Sequence, residues 1–257
     1  MITLICRFVN CYACIFSSRV VKYIKTARKA REMKIIARIH TDFKEKFGIP
    51  RQSGIADSLT ARIVFEPEYR VAEALRGIDG YSHLWIIWQF SEAVRDDWSP
   101  TVRPPRLGGN RRMGVFATRS PYRPNPIGLS SVKLVSVEND EKYGTVLVVS
   151  GADMLDGTPI YDIKPYLAYT DSHPDATGGF ADPVREYALT VEISEEQLAI
   201  VAEDKRDALV TLLAHDPRPS YQSDAEREYG MKFADVEVFF KVDGQRLTVT
   251  AIKRALK

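Results

Sequence analysis

The sequence predicts a mainly β protein, an antiparallel sandwich or barrel followed by a small α+β domain. Three observations predict it. Short segments of alternating apolar and polar residues recur up to about residue 165, with little helical periodicity between them. Further on, the pattern changes to a capped helix and then a β-hairpin. No Gly-x-Gly-x-x-Gly follows a strand, so the sequence carries no sign of a Rossmann dinucleotide fold.

Lys34 to Ile39 alternates apolar Ile35, Ala37 and Ile39 with basic Lys34 and Arg38, which suits a half-buried strand. Gly48, Pro50 and Gly54 then punctuate a loop, and Ala61 to Phe65 alternates again. Pro67 opens a short helix with Val71, Ala74 and Leu75 as its apolar face, since proline suits a first helical turn. His83 to Phe90 (HLWIIWQF) is nearly continuous in apolar and aromatic residues and reads as a strand buried on both faces. Ser99 to Asn110 is a proline- and glycine-rich loop, followed by strands at Met113 to Thr118, Ser131 to Val137, Thr145 to Ser150 and Ile160 to Lys164. Asn139-Asp140 and Gly144 supply a turn between two of them.

The expected division is an extension over 1–32, a β domain over 33–168, a linker over 169–185 and an α+β domain over 186–257. In the last, Ser194 and Gln197 form a capping box. Leu198, Val201, Leu209, Leu212 and Leu213 then recur at helical spacing, and the helix should stop before Pro217. Val236, Val238 and Phe240 alternate up to Asp243-Gly244, a hairpin turn with Leu247 and Val249 beyond it.

Composition narrows the function classes. The chain has a net charge of +2, but residues 1–32 hold seven basic residues and one acid, so 33–257 carries 29 basic and 33 acidic residues. Such a body binds nucleic acid only through a local basic patch. All three cysteines (Cys6, Cys11, Cys14) lie in the extension and the histidines are scattered, so neither a disulfide framework nor a metal site is expected. No run of eighteen apolar residues exists, so a membrane span is not expected, and the chain is expected in the cytoplasm. The basic, acid-poor extension is compatible with an organelle presequence, whereas a secretory signal fits poorly. The preferred reading is a translation start at Met33, because a strand pattern begins at once.

Three stretches carry candidate chemistry. Arg95 to Arg123 contains seven arginines against Asp96 and Asp97. Arg103, Arg106, Arg111, Arg112, Arg119 and Arg123 lie in proline- and glycine-bounded loops, where guanidinium groups can fork onto phosphate or carboxylate. Tyr122 is interleaved and suits stacking on a base. The plain alternative is a solvated cationic loop with Phe116 buried. Asp153, Asp156, Asp162 and Lys164 cluster around a second turn, where the plain alternative is an Asx-capped β-turn. Lys44 to Gln52 is the third, with a mobile surface loop as its alternative.

These residues resemble the TrmO (TsaA-like) family. The resemblance rests on EKFGIPRQSG (45–54), GYSHLWI (80–86), PTVRPPRLGGNRRMGVFATRSPYRPNPIGLS (100–130), DMLDGTPIYDIKPYL (153–167) and HDPRPSY (215–221). It implies a non-Rossmann β-barrel that methylates N6 of threonylcarbamoyladenosine beside the anticodon of a threonine tRNA. It implies S-adenosyl-L-methionine as donor and a homodimer with the donor site near the subunit contact. Carried onto this sequence, the donor site falls on Pro50, Arg51, Gln52, Ser91, Glu92, Arg119, Leu129, Asp153, Met154, Leu155 and Asp156. Ser91 stands where the family carries a larger polar residue. Arg103, Arg106, Arg111, Arg112, Tyr122, Arg123 and Arg218 are expected on the tRNA side. Asp153 and Asp156 suit the donor's cationic parts, and Arg119 its carboxylate. The resemblance gives no catalytic base; Asp162 and Tyr161 are candidates. A small-molecule acceptor, or a barrel that only binds single-stranded RNA, are the alternatives.

Overall fold

The computed structural model describes residues 32–104, 107, 111–184, 187–218 and 224–255. Arg106, the end of the HDPRPSY stretch and nearly all of the extension lie outside the described residues. From Ile35 onward the chain forms one compact unit.

Six antiparallel strands make a closed ring. They are β1 (Ala37–His40), β2 (Thr60–Phe65), β3 (His83–Gln89), β6 (Ile127–Asp140), β7 (Gly144–Ser150) and β8 (Pro159–Pro165), paired in the cyclic order β1-β2-β7-β6-β3-β8. The ring closes where Ala37 and Arg38 pair with Ile160 and Pro159. Alternation sends Ala37, Ile39, Ile63, Leu84, Ile86, Leu147 and Ile160 into one core. The turn predicted after β6 forms as expected: Asp140 Oδ1 accepts the N–H groups of Lys142 and Tyr143, and Gly144 takes φ 69°. Two short strands, β4 (Thr101–Val102) and β5 (Met113–Gly114), pair outside the ring.

The second sheet runs β10 (Tyr229–Phe233), β11 (Val236–Asp243), β12 (Arg246–Arg254) and β9 (Thr190–Glu192), with β9 parallel to β12. Helices α2 (Glu195–Leu198) and α3 (Arg206–Ala214) accompany it, after a single turn α1 (Ala168–Asp171). Phe233, Val236, Val238, Phe240 and Leu247 share a core with Leu209, Leu212 and Leu213 of α3. Phe43, Ala56 and Leu59, from the segment joining β1 to β2, belong to this second core. That segment is also tied to the C-terminal part by polar contacts. Lys205 Nζ lies 2.6 and 2.7 Å from the Asp42 carboxylate, and Ala234 N–H donates to the Asp42 carbonyl at 3.2 Å. Loop 41–59 therefore bridges the two sheets, which places its Pro50–Gln52 tip.

Several expectations need correction. HLWIIWQF is not buried on both faces. Leu84, Ile86 and Trp88 enter the core, while His83, Trp85, Ile87 and Gln89 are only half-buried. The apolar run is continuous because its outer face lies partly in a cleft. The helix after Pro67 is two 3-10 turns, Pro67–Tyr69 and Ala72–Leu75, with Val71 exposed. The strand expected at Met113 to Thr118 ends after Gly114, where a 3-10 turn over Val115–Ala117 buries Val115. The loop before it contributes β4. The C-terminal helix is broken. Its capping box forms as predicted, but α2 is one turn, and α3 starts again after a 3-10 turn rich in acid, Glu203–Lys205. Among the described residues, no helix is long and apolar enough to cross a membrane.

Candidate ligand cleft

A cleft of about 2430 Å3 lies against the ring and is walled in part by the C-terminal segment His215–Arg218. Pockets for single small ligands measure about 300–1,000 Å3. The cleft is a broad, half-open groove, not an enclosed pocket for one small ligand.

The cleft gathers distant parts of the chain. Pro50, Arg51 and Gln52, Ser91 and Glu92, Arg119, Leu129, Asp153 and Leu155 all line it. Gly54 N–H donates to the Gly151 carbonyl at 2.9 Å, which ties the loop ahead of β2 to the stretch holding Asp153. Lys46 Nζ donates to the Glu92 carbonyl at 2.8 Å, which ties the same loop to the turn after β3.

Asp153 ends a buried polar chain. Trp88 Nε1–H donates to Ser130 Oγ at 2.9 Å, and Ser130 Oγ–H donates to Asp153 Oδ1 at 2.6 Å. Gly128 makes this possible, because a Cβ there would stand 2.2 Å from Cε2 of Trp88. Burial pushes the Asp153 carboxyl above its usual range; the Ser130 bond and the positive charge of Arg119 pull it down without overcoming that.

Two residues of the same stretch do not face the cleft. Met154 is wholly buried in the ring core. Asp156 turns to the start of loop 41–59: it accepts Lys44 Nζ at 2.8 Å and Thr41 N–H at 3.1 Å, and lies 3.4 Å from His40 Nδ1. Burial raises the Asp156 carboxyl, but these contacts outweigh it and hold the group below its usual range. Its side chain is thus a tether for the loop and does not face a ligand in the cleft. The candidate bases also fall elsewhere. Asp162 pairs with Lys164 at 3.0 Å on β8, and neither Asp162 nor Tyr161 lines the cleft.

The arginines divide by partner. Arg103, Arg112 and Arg119 are exposed and line the cleft, and Arg112 also donates to Thr101 Oγ1 at 3.2 Å. Arg111 is exposed but outside the lining. Arg123 bonds the carbonyls of Thr118 and Ser120, so it shapes its own loop. Arg218 lines the cleft but is buried and forked onto Asp216. Tyr122 lines the cleft with Arg95 stacked on one face at 4.2 Å. Phe116 is not buried: it is 72% exposed and lies 6.0 Å from Trp98. Sequence reasoning missed Trp88 and Ser130, and missed the partners of Arg51 and Arg218. The only signal for Ser130 was its place at the end of PNPIGLS.

These features define a mainly β protein with an arginine-rimmed ligand cleft, outside the Rossmann class. Comparison with known proteins agrees. Residues 38–172 match the tRNA-methyltransferase O N-terminal domain, and residues 186–255 match the TrmO C-terminal domain. The chain is 42% identical over 226 residues to a tRNA (adenine(37)-N6)-methyltransferase of Escherichia coli, covering 84% of this chain and 94% of that protein. It is 41% identical over 211 residues to a putative S-adenosylmethionine-dependent methyltransferase of Pseudomonas aeruginosa, covering 79% and 89%. A crystal structure of TrmO from Pseudomonas aeruginosa superposes with a TM-score of 0.71 at 32% identity, over 90% of this chain and 100% of that one. The chain belongs to the tRNA-methyltransferase O family.

Proposed function

We propose that this protein transfers the methyl group of S-adenosyl-L-methionine to N6 of an adenine in tRNA, as the names of its relatives describe for them. The observation that carries the reading is convergence. Pro50–Gln52, Arg119, Leu129 and Asp153, far apart in number, line one cleft beside exposed Arg103 and Arg112. The residues fit the donor: the half-buried Asp153 carboxylate suits a ligand with cationic parts, and Arg119 suits its carboxylate. When bound, the donor supplies an electrophilic methyl on a sulfonium. The chain's own contribution is placement, since holding two reactants in line supplies much of a methyl transfer's acceleration.

The acceptor we favour is threonylcarbamoyladenosine next to the anticodon of threonine tRNA. Its carboxylate gives an exposed guanidinium such as that of Arg112 a partner, and its loop is already single-stranded. We read the six-strand ring as the family's barrel, over 33–168, with a linker over 169–185 and an α+β domain over 186–257. The active form in this reading is a cytoplasmic homodimer.

Calorimetry with S-adenosylmethionine tests the donor. Saturable binding is expected, and Arg119→Ala should weaken it roughly tenfold. Absence of any saturable binding by the wild type defeats the reading. Labelled donor with tRNA carrying or lacking the threonylcarbamoyl group tests the acceptor, and transfer indifferent to that group defeats the finer claim. Arg112→Ala should weaken tRNA uniformly and reduce the slope of log affinity against log salt by about 1. An unchanged slope removes Arg112 from the phosphate or carboxylate contacts.

A further inference from the structure

Asp216 and Arg218 form a buried unit, 7% and 8% exposed. The Asp216 carboxylate accepts Arg218 Nε at 2.9 Å, Arg218 Nη2 at 3.0 Å and the Arg218 backbone N–H at 3.2 Å. Tyr187 donates its hydroxyl to the same carboxylate at 3.3 Å. Asp216 takes φ 51°, a left-handed conformation that costs a non-glycine residue and persists only where surroundings impose it. The left-handed φ itself is a common helix ending, since Asp216 follows the last turn of α3; the side-chain fork onto Arg218 is additional to it. The N–H groups of His215 and Asp216 already return to the carbonyls of Thr211 and Leu213.

What the turn does achieve is a pair of converging acceptors. The carbonyls of Asp216 and Arg218 both receive Arg51 Nη2, at 2.9 and 2.7 Å. Arg51 sits between Pro50 and Gln52 in the cleft wall. The geometry points to Asp216 and Arg218 as positioning residues: their turn clamps Arg51 and so sets the Pro50–Gln52 segment for the methyl donor. This rests on the reading of that segment as part of the donor site. It gives Asp216 and Arg218 a role in donor binding, exerted within the same chain.

The test measures the donor Kd by calorimetry, KM for donor and for tRNA separately, and the thermal midpoint. The variants are Arg51→Ala, Arg51→Lys, Asp216→Asn and the double Arg51→Ala/Asp216→Asn. Arg51→Ala and Asp216→Asn should each raise the donor Kd about tenfold, with tRNA KM within about twofold of wild type. The double variant should be no weaker than the worse single one, because both break one clamp. Arg51→Lys should recover part of the loss, since an ammonium can still donate to the two carbonyls. Losses that multiply in the double variant mean independent roles and overturn the clamp. So does Asp216→Asn with normal donor affinity. Should Asp216→Asn fail to fold, Arg51→Ala decides alone, and an unchanged donor Kd overturns the proposal. A wild-type protein that binds no donor overturns the methyltransferase reading itself.

Discussion

Gly128→Ala is expected to lower the thermal midpoint by several degrees and to depress methyl transfer with it. The added Cβ would lie 2.2 to 2.6 Å from three ring atoms of Trp88, and no real contact is that short. Trp88 cannot yield cheaply. It is 5% exposed, packs in the ring core and lies tilted against Phe90 with ring centroids 4.3 Å apart. Overpacking of this kind costs about 1–3 kcal/mol, and at this chain size each kcal/mol moves the midpoint by about 2–4 °C. The damage also reaches the cleft. A displaced indole withdraws Nε1 from Ser130, whose hydroxyl fixes Asp153. Gly80→Ala is the control: nothing lies within 4 Å of its Cβ position and its φ is not left-handed, so the midpoint should barely move. Thermal unfolding of the two variants checks this, and a Gly128→Ala protein as stable as Gly80→Ala refutes it.

The same glycine marks what the sequence discloses and what it conceals. Strand positions were legible because alternation is a local signal: Ile35 to Ile39, Ala61 to Phe65 and Val236 to Phe240 each meet a strand, with ends shifted by a few residues. The β3 run looked buried on both faces because a sequence does not distinguish core from cleft. Either environment favours tryptophan and isoleucine. The helix after Ser194 broke because the leucine spacing persists across the break, while local acids at Glu203 and Asp204 start a new turn. Within 153–156 the residue types were right but their directions were not. Asp153 faces the cleft, whereas Met154 and Asp156 face the core and the loop, and only the register of neighbouring strands decides that. The Arg51 contact with Asp216 and Arg218 spans 165 and 167 positions, and no local pattern encodes it.

Asp153→Asn is expected to separate stability from activity. The substitution is nearly isosteric, and Ser130 Oγ–H can still donate to the amide oxygen, so the polar chain from Trp88 survives. What changes is charge. Burial raises the Asp153 carboxyl, so the folded protein holds that proton more tightly than the unfolded chain does. The sign follows from linkage. The protonated carboxyl contributes stability that is fully present below the ordinary carboxylate value, near pH 4, and is lost as pH rises through its raised value. Asparagine stays neutral and loses nothing over that window. Relative to wild type, the variant should therefore gain thermal midpoint as pH rises from about 4 toward neutrality. Methyl transfer should move the other way, falling on the order of a hundredfold in donor kcat/KM, because on the proposed reading a half-buried carboxylate facing the cationic donor is removed. That opposition is what a binding site that stores unfavourable burial for its ligand requires. Midpoints of both proteins across that pH range, with kinetics at neutral pH, test it. An asparagine variant that methylates normally removes the carboxylate from the donor site, and one that loses midpoint against wild type on going from acid to neutral contradicts the raised carboxyl.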